Sequence, residues 1–346
     1  MIRGTAVPRP LVATLVAATV MLLIALAQPL ADATSASLLQ QLPAGVSGRL
    51  ILPRNRDLWQ MGAATGVDQR LFAGPTLTSI TQASWSPDGR RVAYSLFRFW
   101  RPDRPPGSDL YSLSADGGEP TTVLPAVGED VSFTEPVWTS DGASLVYTAI
   151  VKVPGSRYGE TTNQVERVAA NGGERRTLVD DGFSPAVSRD GRQLAFLRAP
   201  AGAIDSDVTL WLADADGRNA RAVLDDRRFV SLAFPRFSPD GQRLAFAAVG
   251  GPAAIRREVG GLLPFLRPSI VAAHGLPWDL WEIGVDGSGL RRLTELAEDD
   301  PSVTYSPDGR WLAFQGGSGV YLVDLSTTAL YHISDAVGFG GMDWTS

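Results

Sequence analysis

The chain has 346 residues, enough for one large all-β domain, and 44% of them are hydrophobic, enough for a continuous core. Its net charge of −6 and pI of about 5.1 exclude a general nucleic-acid binder, because neutralising phosphates takes a clustered basic surface. The absence of cysteine excludes disulfides, thiolate metal sites, cysteine nucleophiles and a lipid-bearing N-terminal Cys.

The first element is an apolar run, Leu11 to Ala27, preceded by Arg3 and Arg9. Its 17 residues are at the lower limit for spanning a bilayer. Small-residue patterns end at Ala27 and Ala33, so residues 1–33 read either as a cleaved signal peptide or as a membrane anchor with its positive end inside. Both readings place the remainder outside the cytoplasm. Residues 34–46 read as a linker and 47–346 as one folded unit.

That unit is a repeat. Trp85-Ser86-Pro87-Asp88-Gly89 recurs as Trp138-Thr139-Ser140-Asp141-Gly142, Val187-Ser188-Arg189-Asp190-Gly191, Phe237-Ser238-Pro239-Asp240-Gly241 and Tyr305-Ser306-Pro307-Asp308-Gly309. Each copy runs a short apolar strand into a tight turn, in which Pro presets φ and Gly accepts positive φ. A second strand follows, such as Leu194-Ala195-Phe196 or Leu244-Ala245-Phe246, and then a third, such as Asp109-Leu110-Tyr111 or Asp279-Leu280-Trp281. An Asp-Gly or Gly-Gly turn leads to a fourth strand. Four antiparallel strands repeated radially make a propeller blade. Five copies are complete, and the ends supply a sixth. Met342-Asp343-Trp344-Thr345-Ser346 matches a first strand, while Gly48–Leu52, Asp57–Trp59 and Gln69–Phe72 match a second, third and fourth. The fold class is therefore an all-β, six-bladed β-propeller, closed by one C-terminal and three N-terminal strands behind an N-terminal hydrophobic helix.

In these Ser-Pro-Asp-Gly repeats the chain resembles the WD40-like Pro-Asp repeat proteins, the group that includes the TolB-like propellers. The resemblance covers roughly residues 47–346 and implies the fold much more than a function. Ser140 and Arg189 depart from the motif by replacing Pro, which should loosen their turns. Related repeats also occur in propellers attached to peptidase domains, and no such domain is read in this sequence.

Topology places the first-to-second and third-to-fourth turns on one face, and the second-to-third loops and blade-to-blade connections on the other. Length variation falls on the second face, the usual seat of binding on a rigid scaffold. There Arg98, Trp100 and Arg157 lie in or beside insertions, and Gly250 to Pro277 is much the longest, carrying Arg256, Arg257 and His274 and ending beside Trp278. The blade connections carry paired acids, namely Glu129-Asp130, Asp180-Asp181, Asp225-Asp226 and, after Glu298, Asp299-Asp300. A ring of such carboxylates suits a hard cation such as Ca²⁺ or a basic peptide; ion pairs between neighbouring loops are the alternative.

No Gly-x-Ser-x-Gly elbow, Walker loop or His-based zinc set is present, and the two histidines, His274 and His332, stand apart in sequence. The reading is an extracytoplasmic binding or scaffold protein and not an enzyme, with no resident metal or cofactor. It is expected to be a monomer engaging a protein, peptide or small ligand, and touching a membrane only through an uncleaved N-terminal segment. The alternative is an exported hydrolase or lyase using carboxylates at the propeller mouth, because paired acids are defined by geometry alone.

Overall fold

The computed structural model describes residues 44–346 apart from 103–104, 129, 156–159, 200–207, 225–228, 253–277 and 296–299. The N-terminal apolar run and most of the longest insertion lie outside the described residues. No helix among the described residues is long and apolar enough to cross a membrane. In chain order the strands begin with β1 (Arg49–Arg54), β2 (Asp57–Gly62) and β3 (Asp68–Ala73). Blade 2 is β4 (Thr78–Trp85), β5 (Arg91–Arg98), β6 (Gly107–Ser114) and β7 (Thr121–Leu124). Blade 3 is β8 (Val131–Trp138), β9 (Ser144–Lys152), β10 (Thr161–Ala169) and β11 (Arg176–Asp180). Blade 4 is β12 (Gly182–Val187), β13 (Gln193–Arg198), β14 (Thr209–Asp214) and β15 (Arg221–Leu224). Blade 5 is β16 (Phe229–Phe237), β17 (Arg243–Gly250), β18 (Trp278–Gly284) and β19 (Arg291–Arg292). Blade 6 is β20 (Ser302–Tyr305), β21 (Trp311–Gly316), β22 (Gly319–Asp324) and β23 (Leu330–Ser334), and the chain ends on β24 (Asp343–Thr345).

These strands form six four-stranded antiparallel sheets, five in plain sequence order and the sixth in the order β24-β1-β2-β3. The predicted closure is thus present, with Leu50 facing Trp344 and Ile51 facing Asp343. The segment leading into β24 also bonds to the next blade. Ala83 N–H donates to the Gly341 carbonyl at 2.9 Å, and Gly341 N–H to that of Thr81 at 3.0 Å.

The core sits between blades. Alternate side chains of one strand enter different cores: Leu244, Phe246 and Ala248 join the cluster against blade 4, whereas Ala245, Ala247 and Val249 join the cluster against blade 6. A strand covered on both faces must be apolar without interruption, which explains the Leu-Ala-Phe triplets. Burying each large aliphatic or aromatic side chain contributes about 1.5–3 kcal/mol. The outermost strands are short and carry charge, as in Arg291–Arg292, which discourages pairing with another chain.

The repeat turn owes its shape to its Ser/Thr and Asp more than to its Pro. In blade 2, Ser86 Oγ donates to Asp88 Oδ1 at 2.6 Å, Arg90 N–H donates to the same oxygen, and Arg91 N–H donates to Ser86 Oγ. Thr139 and Asp141 form the same lattice without Pro, and so do Ser188 and Asp190. The backbone bond closing the turn is 2.8 Å at Gly89, 2.8 Å at Gly142 and 2.9 Å at Gly191. The expected loosening at Ser140 and Arg189 therefore does not occur, because the Asp side chain replaces what Pro would preorganise. These hydrogen bonds hold the carboxyls of Asp88, Asp141, Asp190 and Asp240 below the ordinary carboxylate range.

Candidate functional site

On the insertion face the described acids engage side chains of blade 3. Exposed Asp130 pairs with Lys152 at 3.6 Å, Asp180 accepts from Gln164 Nε2 at 3.2 Å, and Asp181 accepts from Thr162 Oγ1 at 3.2 Å. Asp300 is half-buried. Glu129, Asp225, Asp226, Asp299, Arg157, Arg256, Arg257 and His274 lie outside the described residues. Among the described residues no three His, Asp or Glu side chains gather as a metal site.

Two residues expected to face a partner are turned inward. Arg98 is buried and bidentate on Asp109, with Nε at 2.7 Å from Oδ2 and Nη2 at 3.1 Å from Oδ1. Its remaining donors reach the carbonyls of Pro105 and Ala126, so it ties its own Pro-rich loop to the blade connection. Trp278 is buried in the core between blades 5 and 6. Apolar surface on this face comes instead from Trp100 (66% exposed), Leu77 (58%) and Val127 (78%).

Where the innermost strands converge, a cavity of about 250 Å³ opens on the opposite face, among the repeat turns. Its position follows from the register of the repeats. The residue two before each turn Ser or Thr is Ser84, Val137, Ala186, Arg236, Thr304 or Asp343, one from each blade, and all six line the cavity. Two residues deeper stand Gln82, Glu135, Ser184, Phe234, Ser302 and Gly341. Glu135, Ser184 and Phe234 each precede a Pro, adopt φ of 49–56°, and sit at register shifts in β8, β12 and β16. Such bulges bend a strand and re-aim the side chains that follow.

The cavity is charged. Asp343 Oδ2 accepts from Trp85 N–H at 2.8 Å, and Oδ1 accepts from Trp344 N–H at 2.8 Å and Thr304 Oγ1 at 3.2 Å. Burial raises its carboxyl pKa, while the nearby Arg236 and these donors oppose the rise. Glu135 is equally engaged, accepting from Thr148 Oγ1 at 2.6 Å, from Ser184 N–H at 2.9 Å and from the Ser184 hydroxyl. Arg236 differs. Its guanidinium donates to the Pro235 carbonyl at 3.0 Å, and among the described residues no carboxylate lies within ion-pair distance of 4.0 Å. Burial pushes its pKa down, and the fields of Asp343 and Glu135 resist. The Ser84 hydroxyl, on a residue 3% exposed, has no hydrogen-bond partner among the described residues. At the rim, exposed Arg189 of blade 4 reaches past blade 5 and donates from Nη1 to the Pro307 carbonyl of blade 6 at 3.3 Å.

Sequence reasoning about loop length missed this cavity. The signal was present in the register, where Arg236 and Asp343 put charge at a position that is small or apolar in Ser84, Val137 and Ala186.

No family model matches the chain. A curated relative, the "Uncharacterized peptidase YuxL" of Bacillus subtilis (strain 168), is 28% identical over 204 residues, covering 53% of this chain and 29% of the relative. The chain thus spans less than a third of that relative's length in the match. Among solved structures, TolB from Acinetobacter baumannii superposes with a TM-score of 0.61 at 15% identity, over 88% of this chain and 68% of that one. A chain of the nidogen/laminin complex gives a TM-score of 0.62 at 14% identity, over 86% and 98%. The expectation that the chain is not an enzyme is overturned by the relative named as a peptidase: missing short motifs were weak grounds, because catalytic groups are defined by geometry. In fold, the chain is a TolB-like six-bladed β-propeller.

Proposed function

We propose that this propeller serves an exported peptidase-type hydrolase, and that its axial cavity on the repeat-turn face holds the peptide being processed. The observation that carries the reading is Arg236, a guanidinium inside the cavity whose neighbouring carboxylates are both engaged elsewhere. The similarity to a chain named as a peptidase supplies the reaction class. The repeat pattern supports membership of the WD40-like Pro-Asp group, and Arg3, Arg9 and the run to Ala27 support export.

The cavity contributes binding. With its oxygens engaged, Asp343 shapes the wall, and Glu135 behind the lining adds to the field on Arg236, which moves the relevant carboxylates from the insertion rim to the channel. The test is to incubate the full chain with short synthetic peptides, following binding by tryptophan fluorescence and cleavage by mass spectrometry. Binding or cleavage weakened by R236M supports the reading, and a chain that neither binds nor cleaves peptides overturns it.

A second reading concerns the insertion face, where Trp100, Leu77 and Val127 expose apolar surface around a rigid scaffold. Docking of a protein partner there is compatible with peptide handling on the opposite face. Cross-linking from position 100 would reveal such a partner, and an unchanged cross-link pattern in W100A would remove the idea. The acid pairs of the blade connections remain a proposed Ca²⁺ or basic-peptide site, which a calorimetric titration giving no heat would eliminate.

A further inference from the structure

The geometry points to a carboxylate-binding site at the axial mouth, in which Arg236 grips the C-terminal carboxylate of a peptide and Arg189 closes over it. This inference deepens the peptide-handling reading and rests on it.

Asp343 and Glu135 spend their oxygens on backbone N–H groups and on Thr304, Thr148 and Ser184. What the wall offers is therefore donors: the remaining N–H groups of Arg236 and the unpartnered hydroxyl of Ser84. A planar guanidinium presents paired N–H donors in a fixed fork, and a carboxylate is the planar group that matches the fork with two parallel hydrogen bonds. A bound anion would add an opposite charge beside a half-buried guanidinium whose pKa burial lowers. The opposite ligand, a cationic group, would meet the like charge of the guanidinium.

Arg189 supplies a second cation from the rim. It stands where three of the five complete motifs have Pro, and that substitution leaves the turn intact, as the 2.9 Å bond between Gly191 N–H and the Ser188 carbonyl shows. The side chain lies across the mouth on a 3.3 Å hydrogen bond to the Pro307 carbonyl, an exposed and long contact that a carboxylate would readily replace. A cavity of about 250 Å³ has room for a terminal residue and its neighbour rather than a folded partner. Trp85, Trp138 and Tyr305 among its lining residues offer apolar surface for a side chain.

The test compares N-acetyl-trialanine bearing a free C-terminal carboxylate with the same peptide as its C-terminal amide, and with inorganic phosphate, by titration of the full chain at low and moderate salt. The free carboxylate should bind at least tenfold more tightly than the amide. Both R189A and R189P, surface changes at a turn that tolerates either residue, should weaken it several-fold, and R236M should remove the preference for carboxylate over amide. Should R236M fail to fold, the two Arg189 variants decide the matter alone. Equal binding of carboxylate and amide, or Arg189 variants with unaltered affinity, overturns the inference; if both peptides are still bound or cleaved, the peptide-handling reading survives. Phosphate binding as tightly as the peptide overturns it by showing a general anion site. Absence of binding by all three probes, with no cleavage, overturns both proposals.

Discussion

Replacing Arg98 by Ala removes the guanidinium that neutralises Asp109 inside the wall of blade 2. Arg98 keeps 9% and Asp109 only 1% of side-chain surface exposed, so water screens little of the interaction. The carboxylate keeps the Ala126 N–H at 2.7 Å, but it loses two charge-assisted bonds at 2.7 and 3.1 Å. Breaking a buried pair by removing one partner costs up to about 3–5 kcal/mol, and less in proportion as the remaining charge keeps other partners, as Asp109 does. Removing both charges with apolar groups of similar size should cost much less, because the desolvation penalty leaves with them. Urea unfolding of wild type, R98A, D109L and R98M/D109L, followed by tryptophan fluorescence, forms a double-mutant cycle. The expected result is a loss of more than about 1 and up to about 5 kcal/mol in R98A, and a smaller loss in the double variant. R98A within about 0.5 kcal/mol of wild type, the range of ordinary surface changes, would refute the reasoning and return Arg98 to the list of residues free to meet a partner.

Three further outcomes follow from the geometry. Asp343→Ala should destabilise by about 3 kcal/mol, since it orphans the Trp85 and Trp344 N–H groups in a buried site; equilibrium unfolding with an unchanged midpoint would show that β24 is held by its backbone alone. Asp88, Asp141, Asp190 and Asp240 have folded pKa values below 3.8, so their stabilisation is complete above that pH and is lost as pH falls through the lowered values; Asp343, shifted upward, acts in the opposite sense and softens the decline. Thermal melts from pH 7 down to pH 2 should therefore fall mainly below about pH 4, and D88N combined with D240N should flatten that fall. Gly217→Ala should cost more than about 1 kcal/mol, because φ is +86° and an added Cβ would meet the Leu178 carbonyl oxygen; a melting temperature equal to wild type would contradict the turn geometry.

The blades were legible because each repeats one grammar, so every copy corrects the reading of the others. Strand residues such as Leu244 to Ala248 declared themselves by an unbroken apolar run, the mark of a strand covered on both faces. The site was far less legible. Loop length directed attention to the insertion face, yet length reports freedom from packing, whereas the cavity arises where inner strands converge. Arg98 looked like a loop residue because its partner Asp109 lies across a turn, and nothing local signals the pairing. Arg189 looked like a defect in a motif, because the hydrogen bonds that make Pro dispensable come from Ser188 and Asp190 side chains. Arg236 and Asp343 are single charges at ordinary strand positions, and only their shared register places them in one channel.

The pairing of β24 with β1 joins residues near 50 to residues near 345, almost the whole length of the chain. Contacts of such sequence separation form late, because the entropy of closing the long loop must be met before they return any stabilisation. Without that pairing blade 1 is a three-stranded sheet with a bare inner edge, and the axial cavity lacks the wall that Asp343 provides. The same contact thus closes the ring and completes the cavity beside Arg236.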